Sequence, residues 1–178
     1  IARGRLFRLR ALFSEGDASR TLFDSALQLS EAAVRLDPSD AAAWELRGMT
    51  RWGIAVSQRR PDTDSLVLTL ADRDIRKAVT LEDSRADAWL TWSFIQTARG
   101  QARAALVSAR RARTENAFVA DPFDTYFAAF ASAMAAGNLR EASRWCSSGR
   151  AAYPNEARFV ECALTVLREG PATADSAV

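Results

Sequence analysis

Two pairs of carboxylates, Asp62 with Asp64 and Asp72 with Asp74, and two thiols, Cys146 and Cys162, are the side chains here whose types and spacing suit metal binding or nucleophilic chemistry. A calcium or magnesium site needs further oxygen donors converging on the same point. Neither aspartate pair has them nearby in sequence, so both are expected to act as solvated charge or as helix caps. The cysteines lie 16 residues apart on predicted helices and lack a Cys-x-x-Cys partner. They are expected to be buried free thiols rather than a disulfide or a reactive thiol. Histidine is absent from the sequence, which removes the commonest general base and the usual zinc ligand. No Gly-rich phosphate loop, kinase signature or Ser nucleophile elbow occurs. The chain is therefore expected to be non-catalytic, with no cofactor and no metal.

Charge excludes a second group of functions. The 24 basic residues stand against 22 acidic ones, for a net charge of +2, and so small an imbalance supplies no field for nucleic acid. Arg110, Arg111 and Arg113 close a predicted helix, where positive charge complements the helix dipole. The opening stretch from Ile1 to Arg10 is basic and partly amphipathic, a pattern that suits an anionic membrane surface or phosphates. Gly4 interrupts it, and an ordinary first helix with solvated arginines is the favoured reading. No run approaches the roughly 20 apolar residues of a membrane span, so no direct membrane insertion is expected. No signal peptide is visible, and the cytoplasm is slightly favoured. The start at Ile1 rather than Met leaves an upstream region open.

Positioning elements follow from composition and period. With 48% hydrophobic and 26% charged residues, a chain of this length buries roughly 70% of its unfolded surface, enough for one packed domain. Five Pro, eight Gly and abundant Ala, Leu and Arg favour helix throughout. Self-similarity then sets the architecture. The segment from Leu36 to Trp44 recurs from Leu81 to Trp89, 45 residues later. Gly100 follows Trp89, and Gly137 follows Tyr126, by 11 residues in each case. Small residues fall seven apart on each predicted second helix: Ala26 with Ala33, Ala71 with Ala78, Ala105 with Ala112, and Ala142 with Gly149. Residues at that spacing share a helix face, and small ones let the partner helix approach closely. Nine helices are predicted, at about 2–14, 18–36, 40–58, 63–81, 86–98, 101–114, 122–136, 138–152 and 156–168. Asp17 and Asp62 are N-cap candidates.

On the stretches AAAWELRG (41–48), ADAWLTWS (86–93) and AGNLREASRWCSSGRAAYP (135–154), the sequence resembles the tetratricopeptide repeat family. Pro38 and Pro154 match the closing Pro of the repeat, and Gly48 and Ser93 match its small residue. Asp83 stands where Pro is usual and Phe130 where a small residue is. The resemblance covers about residues 7 to 170. It implies an all-α, right-handed superhelical solenoid of about four antiparallel helix pairs, at about 2–38, 40–83, 86–120 and 122–154. A capping helix over 156–168 completes one domain spanning 1–170, and residues 171–178, which lack apolar periodicity, are expected to form a flexible tail. The 45-residue spacing exceeds the usual 34 of the family, which lengthens the second pair around residues 59–64. Leu66, Val67, Leu68 and Leu70 on this extension are expected to pack on Ile54, Val56 and the first repeat, or else to form a homo-oligomer or partner contact.

Function is expected where the first helices line a concave groove. The repeat register places Glu45, Met49 and Trp52, then Leu90, Phe94 and Thr97, then Phe127, Ala131 and Met134 on that side. Such a surface suits an apolar peptide or an amphipathic helix of a protein partner, although Trp52 and Phe94 also suit packing between repeats. Some tetratricopeptide proteins grip the terminal carboxylate of chaperones with cations and amides. The matching positions here, Ala11, Glu15, Leu46, Asp87 and Thr91, supply no such set. The closing stretch CSSGRAAYPNEARFVECAL also looks like the ends of repeat regions attached to bacterial serine/threonine kinases. That resemblance gives the alternative of an accessory, sensory or oligomerisation region of a larger signalling protein.

Overall fold

A computed structural model describes residues 1–58, 64–115 and 122–169. These form nine helices and no strand: α1 (Ala2–Leu12), α2 (Gly16–Leu36), α3 (Ala41–Gln58), α4 (Asp64–Leu81), α5 (Ala86–Ala98), α6 (Ala102–Thr114), α7 (Pro122–Ala135), α8 (Leu139–Ala152) and α9 (Ala157–Glu169). Each lies within two residues of the bounds expected from sequence, apart from residues outside the described set. Successive helices pack as antiparallel hairpins, α1 with α2, α3 with α4, α5 with α6 and α7 with α8, and each first helix also touches its counterpart in the next pair. This nearest-neighbour stacking is the architecture of a solenoid.

Small residues set the distance between paired helices. Ala26, Ala71, Ala78, Ala105, Ala112 and Ala142 have no exposed surface. A Cβ on Gly48 of α3 would lie 2.7 Å from the Ile75 side chain of α4, so only hydrogen fits between those helices. The aromatic at the start of the first helix is held identically in two repeats. Trp44 Nε1 donates to the Pro38 carbonyl at 2.8 Å, and Trp89 Nε1 to the Asp83 carbonyl at 2.7 Å. Asp83 in place of Pro therefore preserves the turn. Phe130, where the family has a small residue, is 6% exposed in a cluster with Phe159, Ala142 and Cys146.

Turns repeat in the same way. Gly100 and Gly137 adopt φ of 71° and 70°, a left-handed conformation that costs glycine little. In each, two backbone N–H groups satisfy carbonyls of the preceding helix: Gly100 on Thr97 and Gln101 on Gln96, then Gly137 on Met134 and Asn138 on Ala133. Asn138 caps α8 through Oδ1, which accepts from the Glu141 amide at 3.2 Å. Asp17 is not the cap of α2; Glu15 holds that position, and Asp17 sits in the first turn beside Arg20. Asp62 lies outside the described residues.

Two further expectations change. Cys146 and Cys162 form a disulfide between α8 and α9, with Cα atoms 5.9 Å apart, because the α8–α9 turn folds the two helices back on each other. Asp72 and Asp74 are 6% and 0% exposed rather than solvated. Two residues apart on a helix they point about 200° from each other, so each enters a different contact. The interruption at Gly4 is a packing site: a Cβ there would lie 2.8 Å from Leu46, which seats α1 as an ordinary first helix of the stack. The second pair is extended as expected, with 18 residues in each helix against 13 or 14 in α5 to α8. Leu68 packs on the cluster of Ile75 and Ile95, Val67 and Leu70 are half-buried, and Leu66 is 66% exposed.

Candidate functional site

The expected groove residues form three successive rungs on α3, α5 and α7. Two of their aromatic members meet between helices: the Trp52 and Phe94 rings stack with centroids 6.3 Å apart and planes 10° apart. Thr97 Oγ1 lies 3.5 Å from Ser132 Oγ, which carries the contact on to α7. Phe127 stacks on Phe123 at 6.3 Å and meets Phe130 at 6.1 Å. Met49 packs on the α3–α5 cluster, Phe94 on the α5–α7 cluster, and Met134 on the cluster around Phe159.

Exposure divides the nine residues. Met49, Trp52, Phe94, Thr97, Phe127, Ala131 and Met134 are half-buried and retain surface for a ligand. Leu90 is 7% exposed and Glu45 3%, so both lie beneath the surface. Leu90 is covered by the α5–α7 cluster. Glu45 is closed over by two arginines from neighbouring repeats: Arg85 donates to both its oxygens at 2.7 and 3.0 Å, and Arg5 to one at 3.2 Å. One carboxylate thus ties α1, α3 and the start of α5 together. Arg85 also reaches Glu82 at 2.8 Å. Its hydrogen bonds to Glu45 hold its guanidinium above the usual arginine range. Arg8, on the same side of α1, is pushed below that range by burial, against the attraction of Asp87 and Glu45.

A polar cleft of about 430 Å³ opens beside this carboxylate, lined in part by Arg5, Glu45, Arg85, Asp87 and Glu115. A larger one of about 680 Å³ lies between the α1–α2 turn and the end of α3, with Glu15, Asp17, Arg20 and Phe23 among its walls. The register did not point to either, because both are assembled from helix ends and turns.

The buried aspartates join neighbouring helices. Asp74 accepts from Arg47 Nε and Nη2 at 2.8 and 2.7 Å and from Arg51, which continues to Glu31 of α2 at 3.2 Å. Asp72 accepts from Trp92 Nε1 at 3.0 Å and pairs with Arg76 and Arg99 at 3.0 and 3.1 Å. The three arginines in the last two turns of α6 do more than complement its dipole. Arg110 pairs with Glu141 of α8, Arg111 donates to Asp83 at 2.6 Å, and Arg113 to the Tyr126 hydroxyl at 2.7 Å. Among the described residues there is no His, Cys, Asp or Glu cluster able to hold a metal ion. No helix of the described residues is long and apolar enough to cross a membrane.

Comparison with known proteins places the architecture. The fold is similar to that of a thermophilic tetratricopeptide repeat protein from Thermus thermophilus, with a TM-score of 0.63 and 14% identity over 85% of this chain and 90% of that one. The class of the fold is thus a tetratricopeptide-like, all-α helical solenoid. No family model matches the sequence, and no curated protein matches it. Association with a kinase finds no support in these comparisons.

Proposed function

We propose that the chain is a non-catalytic protein-interaction scaffold that takes an apolar peptide or one amphipathic helix of a partner protein along its concave face. The observation that carries this reading is the half-exposed row from Met49 and the stacked Trp52–Phe94 pair to Phe127, Ala131 and Met134. Its members are braced from behind, so they offer apolar surface with little rotamer freedom left to lose on binding. Successive rungs on separate helices suit a ligand that presents side chains at regular intervals, as an amphipathic helix does at i, i+3, i+4 and i+7. Glu45 and Leu90 support the surface from beneath.

Selection of a displayed library of helical peptides against the chain tests the reading. Selected sequences should carry apolar residues at helical spacing, and Phe94→Ala with Phe127→Ala should abolish their capture while the circular dichroism spectrum stays helical. Unchanged capture by the double variant would remove the groove from consideration.

A further inference from the structure

The outer side of α9 is an apolar stripe uncovered by any described residue. Val160, Leu164 and Leu167 are 52%, 64% and 77% exposed, and their spacing of four and three lines them along one helix face. The opposite face is anchored. Phe159 is fully buried, with its ring 4.9 Å from Phe123 and 6.2 Å from Tyr153, and Cys162 is bonded to Cys146 of α8. The stripe therefore stands on a fixed support.

Repeat register identifies this face as the one that a first helix of the stack turns toward a packed neighbour. Pro154 corresponds to Pro38, so Val160 falls at the position of Trp44 and Trp89, and Leu164 at that of Gly48 and Ser93. At Gly48 the paired helix comes within 2.7 Å of where a Cβ would be, and Ser93 is fully buried. In α7 the same position holds Phe130, which is 6% exposed against Ala142 and Cys146 of α8, whereas Leu164 is 64% exposed. The stripe suits a helix that meets it side chain to side chain.

Charge selects the occupant. Glu161 and Arg168 are both exposed, lie seven residues apart, and so flank the stripe on the same side. Among the described residues Arg168 pairs only with the adjacent, exposed Glu169, at 3.2 Å. If two such helices lie antiparallel with Leu164 close to the twofold axis, Glu161 of each comes opposite Arg168 of the other. The exposed stripe of Leu6 and Leu9 on α1 with the adjoining Phe13 has no such reciprocity. The helix carries Arg3, Arg5, Arg8 and Arg10 and no carboxylate, so two copies of α1 repel.

We propose that this chain forms a twofold dimer through antiparallel packing of α9 on α9 of a second copy, centred on Leu164 and flanked by two Glu161–Arg168 pairs. A 13-residue helix is about 20 Å long. Contact along it alone falls short of the roughly 1,600 Å² of a standard interface, so the dimer is weak and depends on concentration. The groove lies on other helices, and the dimer does not rest on the reading given to it.

Sedimentation equilibrium across a concentration series tests the proposal. The chain should show a monomer–dimer equilibrium, and Leu164→Glu should abolish it while the helical spectrum is kept. Glu161→Arg and Arg168→Glu should each weaken self-association severalfold, because each places like charges opposite. An equimolar mixture of these two variants should associate more tightly than either alone, since opposite charges then meet at both ends. A monomer at every concentration overturns the proposal, as does a dimer that survives Leu164→Glu or is lost in Leu9→Glu. A mixture no tighter than its components overturns the antiparallel register.

Discussion

The Phe159 ring occupies the space that a side chain at position 149 would need: a Cβ on Gly149 would lie 2.3 Å from its Cε1. This contact seats α9 on α8, with Phe159 fully buried at its centre. Gly149→Ala should therefore destabilise the chain by about 1–3 kcal/mol through overpacking. Phe159→Ala should cost about 3–5 kcal/mol through the cavity it leaves. Urea melts followed by circular dichroism measure both, and a neutral Gly149→Ala would show that α9 can shift outward without cost.

Ala105 and Ala142 report on close approach within the third and fourth helix pairs. Both have no exposed surface. Leucine at either position should destabilise by about 1–3 kcal/mol, whereas leucine at the exposed Ala104 should be close to neutral. Equal midpoints for all three variants in urea would contradict the assigned interface.

Asp74 compensates two arginines in a site where it has no exposed surface itself. Asp74→Ala should cost about 3–5 kcal/mol, because Arg47 and Arg51 lose their shared partner in a partly desolvated site. Replacing all three by well-packed apolar residues should recover much of that loss. Denaturant melts of the single and triple variants separate the two cases.

Glu141 is held below the usual carboxylate range first by its hydrogen bond from Arg110, with Trp145 adding a second. The unfolded chain then binds the proton more readily than the folded one, so stability falls on acidification. The contribution is complete above the ordinary carboxylate pKa and is lost as pH drops through the lowered folded value. Urea midpoints measured from neutral to acid pH should fall less steeply in Glu141→Gln than in the parent chain. Parallel curves would show that this pair has no part in the acid response.

The Cys146–Cys162 bond closes a short loop across the α8–α9 turn. For a loop of about 15 residues, chain entropy sets the loss on removing the crosslink at roughly 3 kcal/mol. The double Cys→Ala variant should melt correspondingly earlier. Alkylation and mass measurement without reductant should find no free thiol in the parent chain.

Much of the fold is legible in the sequence because its signals are local and repeated. The spacing of Trp44, Trp89 and Tyr126, the glycines at 100 and 137 and the small residues seven apart each report on one helix or one turn, and four copies of one pattern reinforce each other. Asp72 and Asp74 escaped that logic. Burial of a charge depends on partners 20 to 27 residues away on other helices, and nothing in their own neighbourhood marks it. The cysteines escaped for the same reason, since a spacing of 16 becomes a crosslink only once α9 folds back on α8.

The groove divides along the same line. Sequence alone determined the helical spacing that puts each set of three positions on one face of its own first helix, because helical period is a property of a single chain segment. Only the tertiary structure decided that Glu45 is sealed under Arg5 and Arg85, that Leu90 is covered, and that Trp52 finds Phe94. Side-chain exposure is set by what the neighbouring helix brings, and the distance and tilt between helices arise from packing across pairs rather than from any one of them.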